Sequence, residues 1–259
     1  MHLIGPGAPV LLTLAVLAIV GFIAGVQNSL AGGGSFLTFP VLLLSGLPPR
    51  AANISSAVAL FPGQLMTGYG SRQGVVGIPG LSVRTLFVIS VAGGALGALL
   101  LLATPSDFFT ALVPWLVLFA TTLFAWASFV RDPASPRHRL NRSSAILTQL
   151  VIAAYGGYFG GGISILMLAT LTMSGWSVRG AWATKNLLAA VMNAAAILIF
   201  AFSRDVAWKQ VVALGAGAIV GGQVGAYAFQ RVNEKVLQVC ITLFGLGLAI
   251  GLFWHAHRG

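Results

Sequence analysis

Long apolar runs fill almost the whole chain, and they restrict the fold more than any other feature. A helix needs about 20 mostly apolar residues to cross the hydrocarbon core of a bilayer. Only 7% of the residues are charged, whereas soluble domains carry about 25%. A soluble fold could not cover its surface with so few charges, so we predict an all-α integral membrane protein of about eight apolar segments. The segments cover approximately residues 10–46, 50–70, 81–104, 107–130, 143–174, 179–202, 206–230 and 234–255.

The charged residues lie mostly between or at the ends of these runs. The formal net charge is +10, but no basic stripe interleaved with aromatic residues is present, so we expect no nucleic-acid partner. Basic loops beside an anionic bilayer surface explain the charge better. The loop at 131–142 carries four arginines and two prolines, and we expect it on the cytoplasmic side of a multi-pass membrane protein.

Several classes of activity are disfavoured by what the chain lacks. No Asp or Glu lies inside a predicted membrane segment, which argues against cation channels and against pumps that move protons along buried carboxylates. The single cysteine, Cys240, excludes an intrachain disulfide and a cysteine metal cluster. We find no nucleophile–base pair, phosphate loop or carboxylate pair, and therefore expect neither an enzyme nor a cofactor or metal site.

The two halves of the sequence resemble each other at a separation of 128 to 129 residues. Residues 31–40 read AGGGSFLTFP and residues 159–168 read FGGGISILML, and GGALGA at 93–98 corresponds to GGQVGA at 221–226. For the glycines of the later pair we expect a role in close helix packing. Matches in the same order at one separation indicate an internal duplication. The predicted division is a first membrane repeat at 1–130, the basic loop at 131–142, and a second membrane repeat at 143–259.

Triple glycines interrupt the first apolar segment of each half, at Gly32–Gly34 and Gly160–Gly162. Each glycine costs roughly 1 kcal/mol relative to alanine inside a helix, and the freed backbone groups need other partners. We therefore interpret each segment as a glycine-broken helix hairpin. If both hairpins return to their starting side, each half makes an odd number of crossings and the repeats are inverted. The basic residues of the loops barely favour this arrangement over one in which every segment crosses.

A half-helix that begins at such a break would point N–H groups and a positive dipole end inward, which suits an anion. The helix after each hairpin adds polar side chains, and at the 129-residue separation Ser56 matches Lys185 and Gln64 matches Asn193. We expect these residues to face each other across the repeat interface, with interhelical hydrogen bonding as the alternative role. The predicted substrate-binding residues are Gly33, Gly34, Ser35, Asn53, Ser56, Gln64, Gly161, Gly162, Ser164, Lys185, Asn186 and Asn193.

Lys185 is a lysine well inside a predicted membrane segment, with the apolar run ATKNLLAAVMNAAAILIF around it. A lysine at such depth is costly and is a functional candidate by default. The alternative is a side chain that reaches back to the headgroups. No acidic residue lies nearby in the sequence to neutralise it, so we expect a substrate anion to do so.

The glycine motifs and the helices after them are similar to those of the TauE/SafE sulfite exporters, also called the toluene-sulfonate uptake permease family. The resemblance lies in AGGGSFLTFPVLLLSGLPPRAANISSAVALFPG (31–63), GYFGGGISILMLATLTMSG (157–175) and ATKNLLAAVMNAAAILIF (183–200). It implies a permease of the bacterial inner membrane with two related halves, which moves sulfite, sulfonates or related small organic anions. The fold would work by alternating access around a site between the repeats.

Two other functions remain open at this stage. An anion channel would use the same residues without saturable, gradient-coupled flux. A non-transporting membrane scaffold or assembly factor would have its glycine breaks packed solid, with no water-accessible cavity at mid-depth. The sequence leaves the exact substrate, the direction of transport, the coupling ion and a homo-oligomeric state open.

Overall fold

The computed structural model describes residues 9–30, 33–70, 72–77, 81–126, 129, 141–161, 163–173 and 178–228, and part of 239–254. Each element in these ranges is helical. The helices are α1 (Val10–Leu30), α2 (Ser35–Leu44), α3 (Pro49–Gly70), a short 3₁₀ turn (Arg72–Gly74), α4 (Val83–Ala103), α5 (Ser106–Ala125), α6 (Arg142–Tyr158), α7 (Ile163–Met173), α8 (Val178–Phe200) and α9 (Trp208–Ala228).

Two breaks divide the apolar segments that carry the triple glycines. α1 and α2 are separated at Gly33, and α6 and α7 at Gly160; their φ angles are +82° and +78°. Non-glycine residues rarely adopt this left-handed region, which explains glycine at these two positions. The Gln27 side chain of α1 donates a hydrogen bond of 2.9 Å to the Gly33 carbonyl. A polar side chain of the long helix thus stabilises the turn into the short one.

Two pairs of long helices each join one helix of the first half to one helix of the second half. α1 packs most extensively against α9, and α4 packs against α6. The two helices of each pair run parallel, because contacts further along one helix are made with residues further along the other. In the pair of α1 and α9, for example, Gly217 contacts Ala18 and Gly221 contacts Phe22. A Cβ atom at Gly217 or Gly221 would lie 1.9 Å from a backbone carbonyl of α1. The duplicated glycine motifs therefore serve close packing, as the sequence predicted.

α3 and α8 pack antiparallel in the centre of the bundle. Gly68 near the end of α3 lies against Asn186 near the start of α8. At one end of the bundle Arg50, at the start of α3, forms an ion pair with Asp205 at 3.0 Å and donates a 3.1 Å hydrogen bond to the Thr104 carbonyl. At the opposite end, the Thr184 hydroxyl donates a 2.8 Å hydrogen bond to the carbonyl of Val76.

Large apolar side chains cover the outside of the bundle. Leu11, Val88, Leu99 and Val212 are between 55% and 83% exposed, a surface that is stable in lipid but not in water. Four helices of the described part are long and apolar enough to cross a membrane. The protein is therefore an all-helical, multi-pass membrane protein. These spans are Val10–Ser29, Val83–Ala103, Ser106–Leu123 and Ala183–Phe200.

The predicted loop at 131–142 lies outside the described residues apart from its last two positions, as does half of the last apolar segment, 234–255. The division of the chain at this loop stays a prediction.

Candidate functional site

A cavity opens where α1, α3, α7 and α8 meet, and we call it the polar chamber. Its enclosed volume is about 20 Å³, and it reaches about 280 Å³ only when the open space at its mouth is included. All but one of its lining residues carry an amide or hydroxyl group, and they come from both halves of the chain. The lining residues are Asn28, Gln64, Thr67, Ser164, Asn186 and Ala189.

Two of the chamber's amides already use their oxygen atoms inside the protein. Oδ1 of Asn28 accepts a long hydrogen bond of 3.4 Å from the backbone N–H of Gly34. Oε1 of Gln64 accepts a short hydrogen bond from Nδ2 of Asn193. Because an amide has one acceptor end and one donor end, both residues keep their NH₂ groups for another partner. The bond between Gln64 and Asn193 also joins the two residues that the 129-residue separation matched.

The third amide, Asn186, is the least satisfied. It is 8% exposed, and its Nδ2 atom has no hydrogen-bond partner among the described residues. Leaving a buried polar group unpaired costs about 1–3 kcal/mol, and such groups commonly mark a place for water, an ion or a ligand. The chamber therefore presents three amide NH₂ groups, from Asn28, Gln64 and Asn186.

The glycine breaks lie beside this chamber. Gly33 and Gly34 are buried, and Gly34 is tied to the chamber wall through Asn28. Ser35 is half-buried at the start of α2. In the second half, Ser164 lies in the first turn of α7 and on the chamber wall, and Gly161 is buried before it. Gly162 lies outside the described residues.

Among the predicted site residues, Gln64, Ser164 and Asn186 line the chamber. Asn53 and Ser56 lie off its wall and bond to other helices. Nδ2 of Asn53 donates a 3.0 Å hydrogen bond to the Tyr158 carbonyl, which ties α3 to the end of α6. The Ser56 hydroxyl is hydrogen-bonded to the hydroxyl of Thr38 on α2. Both residues are buried, and both bonds join helices, the alternative role that the sequence allowed.

Lys185 is buried, with 2% exposure. It is one turn before Ala189 and next to Asn186 on α8, but it is not on the chamber wall. The same face of α8 continues through Leu188 and Met192 into an apolar cluster. Within the described part of the chain the structure gives Lys185 neither a carboxylate nor a hydrogen-bond acceptor. The positive charge of Lys185 is therefore not balanced by a carboxylate of the described residues.

No carboxylate of the described residues lies near the chamber. Asp205 is paired with Arg50 at one end of the bundle, and Asp107 lies in the first turn of α5 at that same end. The described residues also contain no group of three or more His, Cys, Asp and Glu side chains that could hold a metal ion. The chamber's chemistry is therefore that of neutral hydrogen-bond donors near one buried cation.

Two polar residues of the chamber, Asn28 and Thr67, were not predicted from the sequence. The Thr67 hydroxyl donates a 2.9 Å hydrogen bond to the Gly63 carbonyl one turn earlier. Asn28 belongs to a polar triplet, Gln27-Asn28-Ser29, which ends the otherwise apolar α1. That triplet just before the first glycine break is the signal that could have identified Asn28.

Comparisons with known proteins agree with a transport function. A family model described as "Sulfite exporter TauE/SafE" matches residues 17–252. The sequence is 31% identical over 242 residues to "Probable membrane transporter protein ORF9" of Sinorhizobium sp., covering 92% of each chain.

Two further relatives carry similar descriptions. A "Probable membrane transporter protein" of Haemophilus influenzae is 30% identical over 236 residues, covering 89% of this chain and 90% of the relative. "Probable membrane transporter protein YfcA" of Escherichia coli (strain K12) is 26% identical over 250 residues, covering 95% and 91%. No solved structure matches the chain.

Proposed function

We propose that this chain, a membrane transporter that belongs to the sulfite exporter TauE/SafE family, carries sulfite, sulfonates or related small organic anions across a bacterial inner membrane. The polar chamber is the substrate site. The described part of the chain offers no catalytic pair beside it, so the task assigned to the chamber is binding and release.

The observation that carries this proposal is that the amide side chains of the chamber have their donor NH₂ groups without a partner within the described part of the protein. The side-chain oxygen atoms of Asn28 and Gln64 accept hydrogen bonds within the protein, and Nδ2 of Asn186 has no partner among the described residues. Three NH₂ groups without a nearby carboxylate favour an anion with several oxygen atoms, because each oxygen can accept from one donor. Hydrogen bonds to a charged partner are the stronger ones, at about 1.5–3 kcal/mol each.

Lys185 supplies the compensating charge in this proposal. Since its side chain is off the chamber wall, it acts through the field rather than by direct contact. At an effective dielectric constant of about 20, two opposite charges about 7 Å apart attract by about 2.4 kcal/mol. A substrate anion in the chamber would gain from this field and would in turn offset the cost of a buried lysine.

Inverted repeats and alternating access complete the proposal. The pairs α1–α9 and α4–α6 support it, because each joins a hairpin helix of one half to the third long helix of the other half, and both pairs run parallel. The hydrogen bond between Gln64 and Asn193, 129 residues apart, lies where such repeats would meet. Rocking of one repeat against the other would open the chamber to each side in turn.

Transport by purified protein in liposomes tests the proposal. We expect saturable uptake of labelled sulfite and methanesulfonate. The Asn186→Leu variant keeps the side-chain size but has no donor, and we expect its uptake of both anions to fall at least tenfold, which corresponds to about 1.4 kcal/mol. Ser56→Ala is the matched control, because Ser56 is buried off the chamber wall. Uptake by Asn186→Leu equal to that of Ser56→Ala would contradict the assignment of the site.

Cysteine labelling separates this function from a membrane scaffold. In a Cys240→Ser background, we expect Ser164→Cys to react with a small water-soluble thiol reagent and to be protected by methanesulfonate. Ser56→Cys is the buried control and should not react. A scaffold with a solid interior predicts no reaction at either position. An anion channel is distinguished by the uptake experiment, where its flux would not saturate.

A further inference from the structure

Two buried hydroxyl groups bind the connecting segments of the other half of the chain at opposite ends of the bundle. The backbone N–H of Ala207, between α8 and α9, donates a 2.9 Å hydrogen bond to the Ser55 hydroxyl of α3. The Thr184 hydroxyl of α8 accepts a 2.9 Å bond from the N–H of Val76, which follows α3, and donates one of 2.8 Å to its carbonyl. Ser55 and Thr184 are both 0% exposed. Each central helix is thus bonded to the segment that follows the other one.

Ser55 and Thr184 occupy equivalent positions of the two halves. They are 129 residues apart, the same separation as that of the hydrogen-bonded residues Gln64 and Asn193. Each lies six residues after the first residue of its helix and nine residues before its member of the Gln64–Asn193 pair. At 1.5 Å per residue, each hydroxyl is about 13 Å along its helix from that pair. Because α3 and α8 are antiparallel, the polar chamber lies between the two hydroxyls along the bundle.

An ion pair adds to the contact of Ser55. Arg50, five residues before Ser55 on α3, is 3.0 Å from the carboxylate of Asp205, which lies two residues before Ala207. At the 129-residue separation the position of Asp205 corresponds to Val76 in the first half, and valine carries no charge. The hydroxyl at that end binds both the N–H and the carbonyl of Val76. The two ends are therefore held by different contacts at equivalent positions.

These contacts differ from those within one half of the chain. The bond between Ser56 and Thr38 joins α3 to α2 of the same half, so it persists if the halves move against each other. The contacts of Ser55 and Thr184 join the two halves and must break when their ends open. One neutral hydrogen bond shifts an equilibrium by roughly two- to tenfold. Such a contact can hold an end closed and still break in every cycle.

We propose that these two contacts are the gates of the polar chamber. Ser55 and Ala207, with the neighbouring ion pair, form the Ser55 gate, and Thr184 and Val76 form the Thr184 gate. Each gate closes one end of the chamber, and the two gates open in turn. This rests on the alternating access of the proposed function.

Reversible cross-linking of each gate tests the inference by uptake of labelled methanesulfonate into proteoliposomes, in a Cys240→Ser background. The cysteine pairs are Ser55→Cys with Ala207→Cys and Thr184→Cys with Val76→Cys, each joined by a short bifunctional methanethiosulfonate reagent. We expect each cross-link to reduce uptake at least tenfold, and a reductant to restore it. Binding of methanesulfonate to the purified, cross-linked protein should stay within threefold, because the other gate can still open.

Thr38→Cys with Ser56→Cys is the matched control, because these hydroxyls are also buried and hydrogen-bonded but lie in one half. The cross-link of this pair should leave uptake within twofold. If either gate can be cross-linked without a change in uptake, its contact is a fixed structural one and the inference is overturned. An equal loss of uptake in the control would also overturn it.

The Cys240→Ser protein without further cysteines distinguishes this inference from the function it rests on. If it takes up no methanesulfonate, the proposed function fails and the gates with it. Should a cysteine pair not fold, the single variants Ser55→Cys and Thr184→Cys decide the question. Gates that open expose both thiols to a small water-soluble reagent, whereas Ser56→Cys stays unreactive. A Ser55→Cys or Thr184→Cys thiol that never reacts would overturn the inference.

Discussion

Asn28 provides the sharpest test of the chamber, because one substitution separates its two contacts. Its Oδ1 atom accepts from the Gly34 N–H and stabilises the first glycine break, while its NH₂ group is left for the chamber. Asn28→Asp keeps an oxygen for Gly34 and replaces the NH₂ group by a second oxygen. The variant therefore preserves the contact within the protein and reverses the one offered to an anion.

The expected loss of affinity has two parts. Losing one hydrogen bond to a charged ligand costs about 1.5–3 kcal/mol. Placing a carboxylate about 5 Å from the anion adds about 3 kcal/mol of repulsion at an effective dielectric constant of about 20. Together these terms raise Kd about 1000-fold or more, since each 1.4 kcal/mol is about tenfold. Asn28→Ala loses only the hydrogen bond and should weaken binding about 10- to 100-fold.

The assay is binding of methanesulfonate by purified protein between acid and neutral pH, because a sulfonate keeps its charge throughout this range. As pH falls, the carboxylate of Asn28→Asp takes up a proton, which removes the repulsion and supplies an O–H donor. Its affinity should therefore recover at acid pH, whereas that of Asn28→Ala should not. Binding by Asn28→Asp equal to wild type at neutral pH, with a lowered unfolding midpoint for Asn28→Ala, would show that Asn28 only stabilises the hairpin.

Three further predictions concern charge and packing. Lys185→Gln should reduce methanesulfonate affinity at least tenfold at low salt while Lys185→Arg retains part of it; equal affinities in both variants would refute the charge role. The partly exposed pair of Arg50 and Asp205 should show a coupling energy of about 0.5–1 kcal/mol in a double-mutant cycle of thermal unfolding, and high salt should reduce it. Gly217→Ala must separate α9 from α1 and should cost about 1–3 kcal/mol of stability. Gly70→Ala, in open space, should leave the unfolding midpoint unchanged, and equal midpoints for the two glycine variants would contradict this account of the packing.

The candidate site was only partly accessible from the sequence. The 129-residue separation predicted that Gln64 and Asn193 face each other, and their side chains are hydrogen-bonded in the structure. Ser164 and Asn186 were also predicted and lie on the chamber wall. Asn53 and Ser56 carry the same kind of side chain, yet they bond to Tyr158 and Thr38 instead. A helical repeat shows which residues share a face but not which neighbouring helix covers that face.

The membrane character of the chain was determined by its sequence alone. With only 7% charged residues and long apolar runs, lipid is the solvent for most of the surface, whatever the helices do inside. The glycine breaks could also be predicted from the sequence, because consecutive glycines weaken a helix wherever they occur. These properties are local or additive, so composition and motif spacing are sufficient to predict them.

The position of each polar group depended on tertiary structure. Asn28 joins the chamber because α1 lies against the start of α2, and Lys185 stays off the wall because the neighbouring residues of its face pack into an apolar cluster. Whether an amide offers its donor or its acceptor end depends on which partner another helix brings within about 3 Å. The partner of Gln64 lies 129 residues away in the chain, and only the packed bundle brings the two residues together.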